Sequence, residues 1–133
     1  MIVVDTNIIS YLFIEGEHTQ PAEKVLQKDG EWAAPLLWRS EFRNVLSFYI
    51  RQKYLTLDSA VKLINEAFYL MADNEYDVSS LDVLSLAKLS GCSAYDCEFV
   101  ALAKDLGTSL ITSDKKILKA FPDHTISLDI YVK

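Results

Sequence analysis

The chain opens with Ile2-Val3-Val4, three consecutive β-branched residues, and passes at once into Asp5-Thr6-Asn7. β-Branched side chains are stiff and pack well on a pleated surface, so this run reads as a buried strand. Asp, Thr and Asn favour helix caps and turns. Ile8, Ile9, Leu12 and Phe13 then recur at helical spacing. A buried strand that runs directly into a helix is the first half of a β-α-β unit. It constrains the fold more than any other feature, because it points to a parallel sheet with helical crossovers.

The alternation continues along the chain. Thr19 and Pro21 mark a helix start, Ala22, Val25 and Leu26 give its apolar face, and Gly30 is its expected end. Trp32-Ala33-Ala34-Pro35 reads as a second strand. From Arg39 a helical stripe runs through Phe42, Val45, Leu46, Tyr49 and Ile50. Asp58 is expected to cap the next helix, whose stripe is Val61, Ile64, Ala67, Phe68 and Met71. Tyr76 to Ser79 is the expected third strand, followed by a helix from Leu81 to Ser90 with Gly91 as its stop. Ser93 caps a helix that carries Cys97, Val100, Ala101 and Lys104 and ends at Gly107. Leu110-Ile111-Thr112 is a clear short strand, and Asp114 opens a final helix through Ile117, Leu118 and Phe121 to about Pro122. Ile126 to Ile130 reads as the last strand.

Strands alternating with helices imply an α/β fold, a three-layer α/β/α arrangement around a mostly parallel sheet. At 133 residues, with no repeat, low-complexity stretch or linker, one domain over residues 1–133 is expected.

Helices in such a sheet run antiparallel to the strands, so strand ends and helix starts share one edge, where ligands bind. Asp5 follows the first strand. Glu41 is expected in the first turn of the helix after the second strand. Asp96 falls in the first turn of the helix before the Leu110 strand, and Asp114 follows that strand. Four carboxylates far apart in sequence therefore converge on one edge. Each one singly also fits helix capping. Together they repel: two unit charges ~4 Å apart cost about 4 kcal/mol at an effective dielectric of roughly 20. A cluster like this holds protons at neutral pH or recruits a cation. Oxygen-only ligands suit Mg²⁺ or Mn²⁺ rather than zinc. A divalent ion held by carboxylates is the usual arrangement for hydrolysing a phosphodiester. No Ser-His-Asp or Cys-His pattern competes, and His18 and His124 sit in polar, loop-like contexts.

The bulk properties exclude some functions. Half of the residues are hydrophobic and 24% are charged, an ordinary globular balance. The net charge of −6 argues against a protein that coats nucleic acid and fits a basic partner. Cys92 and Cys97 match no zinc or redox spacing and are expected to be reduced thiols. The start has no basic segment before its apolar stretch, and no apolar run approaches the ~20 residues needed to span a bilayer. A cytoplasmic location without membrane attachment is expected.

The residues that carry these features also resemble a family. Val3-Val4-Asp5-Thr6-Asn7 is similar to the opening motif of PIN-domain nucleases. Glu41 in Ser40-Glu41-Phe42-Arg43-Asn44-Val45-Leu46 resembles the second acidic position, and Tyr95-Asp96 before Phe99-Val100-Ala101-Leu102-Ala103 the third. Leu110-Ile111-Thr112-Ser113-Asp114 resembles the fourth, where the family often shows Thr-x-Asp. The resemblance runs from Ile2 to about Leu128, and in size the chain is similar to VapC toxins of prokaryotic type II toxin–antitoxin pairs. It implies Mg²⁺- or Mn²⁺-dependent RNA cleavage, a homodimer, and inhibition by a VapB-like antitoxin. It makes Asp5, Glu41, Asp96 and Asp114 the catalytic metal ligands, with Thr6, Asn7 and Thr112 in support. Arg39 and Arg43, flanking Glu41, and Lys115 and Lys116, following Asp114, become candidates for phosphate contact. The aromatics Phe48, Tyr49, Phe68, Tyr69 and Tyr54 exceed what one core hides and are candidates for a dimer or antitoxin face.

Three readings are compatible with the residues alone: an endoribonuclease, a metal-dependent phosphatase or nuclease with another substrate, and a non-catalytic binding module whose acids only cap helices.

Overall fold

The computed structural model describes all residues, Met1–Lys133. The chain forms β1 (Ile2–Val4), α1 (Thr6–Phe13), α2 (Thr19–Lys28), β2 (Trp32–Pro35), α3 (Leu37–Arg51), α4 (Leu57–Met71) and β3 (Glu75–Tyr76). It continues through α5 (Ser80–Ser90), α6 (Ala94–Asp105), β4 (Leu110–Thr112), α7 (Lys115–Ala120), β5 (Thr125–Ser127) and α8 (Leu128–Tyr131).

The five strands make one sheet in the order β3-β2-β1-β4-β5. Every pair is parallel. From β1 the chain winds outward through β2 to β3, then crosses back to β4 on the other side of β1. Right-handed crossovers consequently place α1 to α4 on one face and α5 to α7 on the other. The sheet is therefore covered on both sides. Its strands are uninterrupted apolar runs for that reason, and Val3, Val4, Trp32, Ala33, Ala34, Leu110 and Ile111 are all fully buried. Trp38 and Phe42 of α3 fill the core on one face, and Cys97, Val100 and Leu102 of α6 fill it on the other. Both cysteines are free and buried. No helix is long and apolar enough to cross a membrane.

Several boundaries differ from the sequence reading, each for a local reason. Thr56, not Asp58, caps α4: its hydroxyl accepts from Ser59 N at 3.1 Å while Ser59 Oγ accepts from Thr56 N at 3.0 Å. Asp58 instead lies within the first turn. The third strand sits earlier, at Glu75–Tyr76, in register with Ala34 and Pro35, and Ser79 is taken up as the α5 cap. The last strand stops at Ser127, whose hydroxyl accepts from Ile130 N at 3.2 Å and starts α8. So α7 is not the final helix. Helix α2 ends at Lys28, before Gly30. There Asp29 accepts from Glu31 N and pairs with the N-terminal ammonium at 3.0 Å. Helix α3 begins at Leu37, two residues before Arg39. Gly91 ends α5 as expected, with φ at +72°, and α6 closes at Asp105, just before Gly107.

Candidate active site

The register of β1 against β4 creates the centre of the site. Val4 pairs with Ile111, so the next residues, Asp5 and Thr112, emerge side by side at the carboxyl edge. This is the point where the strand order reverses, the usual ligand position in an open α/β sheet. Asp5 Oδ1 accepts from Ile8 N at 3.1 Å and caps α1. Its other oxygen accepts from the Thr112 hydroxyl. Thr112 Oγ1 in turn accepts from Asp114 N at 3.0 Å. Asp114 Oδ1 accepts from Lys116 N at 2.9 Å and Ile117 N at 3.1 Å, capping α7. One threonine thus ties both loop acids together.

The other two acids arrive from the flanking helices. Glu41 lies in the second turn of α3 rather than the first, because that helix starts at Leu37. Thr6 Oγ1 donates to Glu41 Oε1 at 2.7 Å and fixes its carboxylate above the start of α1. Asp96 lies in the first turn of α6, and its amide donates to the Ser93 cap at 3.0 Å.

Burial and like charge dominate the electrostatics. Asp5 is only 8% exposed. Burial pushes its carboxyl up from 3.8 to about 6, and the nearby Asp114 charge adds to this, although Thr112 and the Ile8 and Asn7 amides pull down. Glu41 is also raised, first by burial and further by Asp96, against the Thr6 hydrogen bond. The chain's ion pairs lie at Asp29, Glu17 and Glu75, so no side-chain cation compensates these four acids.

Asp114 acts electrostatically on Asp5, and Asp96 acts on Glu41. No three His, Cys, Asp or Glu side chains stand close enough to ligate one ion directly. The four acids stand as two pairs, Asp5 with Asp114 and Glu41 with Asp96. The donor set still fits Mg²⁺ or Mn²⁺. The oxygens are hard, and Mg²⁺ takes one or two carboxylates and keeps several waters. Asp5 with Asp114, and Glu41 with Asp96, are the residues that can hold such an ion.

Two neighbours escaped the sequence reading. Tyr11 lies one helical turn beyond Asn7, on the same side of α1. Its phenol is raised by burial and by the Asp5 charge, and Ser113 opposes this. The i, i+4 spacing from Asn7 was the available signal for Tyr11. Glu98, two residues beyond Asp96, is raised by burial and by Glu41.

The proposed phosphate contacts fare unequally. Arg39 is engaged elsewhere: Nε and Nη2 each donate to Glu75 at 2.6 Å, and its guanidinium lies over the Phe68 ring at 4.6 Å. That bidentate grip removes it from the phosphate-contact set. Arg43 and Lys115 are exposed. Lys116 Nζ donates to the Gly91 carbonyl at 3.2 Å. Arg39→Ala is expected to lower stability by about 1–3 kcal/mol, because Glu75 is left with only Trp38 Nε1 as a side-chain donor. Catalytic constants should stay near wild type. Chemical denaturation and steady-state kinetics together check this.

The fold and site define a class: a parallel α/β/α domain with an uncompensated acidic centre at the point of strand reversal. The chain belongs to the PIN domain family, whose sequence profile matches residues 2–122. It is 29% identical over 124 residues to ribonuclease VapC3 of Pyrobaculum aerophilum, covering 91% of this chain and 95% of that protein. The crystal structure of PAE2754 from Pyrobaculum aerophilum superposes with a TM-score of 0.77 at 20% identity, covering 98% of this chain and 92% of that one. A toxin–antitoxin complex from Klebsiella pneumoniae contains a chain with a TM-score of 0.70 at 19% identity, covering 96% and 98%. At these identities the structural likenesses establish the shared fold.

Proposed function

We propose that this protein is a Mg²⁺- or Mn²⁺-dependent endoribonuclease, the toxin of a toxin–antitoxin pair, built as one domain over residues 1–133. The observation that carries the reading is Asp5: a buried carboxylate, beside a second acid, with no cation partner, at the edge where substrates bind. The similarity to ribonuclease VapC3 supports RNA as the substrate. Asp5 with Asp114, and Glu41 with Asp96, would hold a divalent ion, which when bound would supply Lewis-acid polarisation of the phosphate and activation of water. The chain's own part is positioning. Thr112 holds Asp5 and the backbone before α7 in one arrangement, and Thr6 holds Glu41. Such supporting hydrogen bonds orient ligating carboxylates.

A VapB-like antitoxin and a second copy of this chain are the proposed partners, and the cytoplasm is the proposed compartment. The toxin–antitoxin complex with the same fold supports the antitoxin. Phe48, Tyr54 and Tyr69 supply exposed aromatic surface on and beside α3 and α4, at 49%, 58% and 88% exposure.

The capping-only reading has an observation behind it, since Asp5 and Asp114 do cap helices. Yet Asn and Ser cap as well as Asp does. A cap at 8% exposure with its pKa pushed to about 6 is destabilising as an ion, so capping does not account for a carboxylate there.

Incubation of the purified protein with single-stranded RNA, single-stranded DNA and a phosphomonoester, each with Mn²⁺, Mg²⁺ or EDTA, tests the proposal. RNA cleavage that requires the metal is expected. Full activity in EDTA, or cleavage of the monoester alone, overturns it.

A further inference from the structure

Beside Glu41 a cleft of about 390 Å³ opens between α1, α3 and the start of α6. Leu37 and Val45 supply its apolar lining, and Asn7, Ser40, Asn44 and Tyr95 its polar lining. The volume falls within the range of pockets that take a small organic group, about 300–1,000 Å³. Three features narrow what that group is.

First, no Lys, Arg or His lines the cleft, and its one formal charge is the Glu41 carboxylate. A phosphate is therefore repelled; the Glu41 carboxylate is already engaged by the Thr6 hydroxyl, and the complement of the remaining uncharged lining is an uncharged group. Second, Tyr95 is 63% exposed although it adjoins Asp96 in the first turn of α6. Its ring has no aromatic partner in the chain and is the one aromatic ring that lines the cleft. Third, the side chains of Asn7, Ser40 and Asn44 are exposed and accept or donate no hydrogen bond within the protein, while the Asn44 carbonyl is taken by Ser47. Two carboxamides present donor and acceptor together, the pattern that pairs with the edge of a heterocycle. A flat ring with polar edges and no charge satisfies all three.

We propose that this cleft is a nucleobase subsite for single-stranded RNA, in which Tyr95 stacks on a base next to the scissile phosphate and Asn44 reads that base's edge. The assignment rests on the ribonuclease reading above and deepens it. Unstacked bases in single strands are recognised by aromatic stacking and by hydrogen bonds to their exposed edges. The acids handle the phosphate on one side of Glu41, and the neutral cleft takes the base on the other. This division lets an acidic protein bind RNA without a broad basic groove.

The test has two arms on the full-length protein. In the first, a random-sequence single-stranded RNA pool is digested with Mn²⁺ and the cleavage sites are sequenced. Tyr95→Ala is expected to lower kcat/KM about tenfold, as loss of one base–aromatic stack does. Tyr95→Phe, which keeps the ring, stays near wild type, and Asn44→Ala flattens the base preference at one position beside the cut. In the second arm, the four uncharged nucleosides are titrated into metal-free protein and followed by NMR. Shifts centred on Asn7, Ser40, Asn44 and Tyr95 are expected, strongest for one base. If wild type cleaves RNA but both sets of variants cleave with unchanged rate and preference, the subsite is overturned and the ribonuclease reading stands. If wild type cleaves no RNA while one nucleoside still shifts the cleft, base binding by the cleft stands and the ribonuclease reading fails. Neither cleavage nor shifts overturns both.

Discussion

Asp5→Asn is expected to reduce metal-dependent cleavage about a hundredfold or more while raising the melting temperature of the metal-free protein. The loss follows from the proposed role of Asp5: the most buried of the acids, it would orient the ion, and removing such a group costs about 10²-fold or more. The gain follows from the shifted titration. The folded carboxyl titrates near 6 against 3.8 unfolded, because burial outweighs the Thr112 and amide hydrogen bonds. Each pKa unit is worth about 1.4 kcal/mol, so holding this ion in the fold at pH 7 costs on the order of 3 kcal/mol. Asparagine removes the charge but keeps an acceptor for Ile8 N or the Thr112 hydroxyl. Where its amide nitrogen replaces the oxygen that accepts from Thr112, the Thr112 hydroxyl loses its acceptor, which returns part of the gain. A net rise of about 1–2 kcal/mol remains.

The pH dependence has a definite sign. The folded pKa lies above the unfolded one, so the Asp5 contribution is most favourable below about pH 4. It is lost as pH rises through about 6. The advantage of the variant should therefore be full at pH 7 and vanish near pH 4. Thermal melts of both proteins across that window measure it. A variant that cleaves normally, or that melts lower at pH 7, contradicts the account.

Saturating Mn²⁺ is expected to stabilise the wild-type protein strongly at pH 7. A ligand present at a hundred times its dissociation constant adds about 2.7 kcal/mol, a rise of roughly 6–15 °C in Tm for a domain of this size. The rise should shrink at pH 5, where a proton competes for Asp5, whose folded pKa is about 6. It should be nearly absent in Asp5→Asn. The same measurement separates an enzyme from a module whose acids only cap helices, since caps bind no ion. A melting temperature indifferent to Mn²⁺ at pH 7 would falsify the metal site.

Much of this protein is legible in its residue order. The runs Ile2–Val4 and Leu110–Thr112 are apolar because their strands are buried on both faces, so their character survives without knowledge of partners. Their placement before Asp5 and Asp114 is local too, since an acid after a strand caps the next helix by hydrogen bonds only a few residues away. Ser93 and Gly91 are legible for the same reason. Errors arose where two nearby residues competed for one role, as Thr56 and Asp58 did for the α4 cap.

Long-range geometry was not legible. The side chain of Arg39 reads as a free cation beside Glu41, but β3 brings Glu75 against it from 36 residues away. The sequence places four acids at one edge, yet only the register of Val4 with Ile111 makes Thr112 the bridge between Asp5 and Asp114. Only the packing of α1 against α3 lets Thr6 hold Glu41, and only that same packing opens the neutral cleft under Tyr95. Local chemistry thus determined the strands, the caps and the identity of the acids, because those interactions span a few residues. Tertiary structure decided which acids share a charge field, which cations are engaged, and where an uncharged ring fits. Those depend on burial and on contacts between segments that no local pattern encodes.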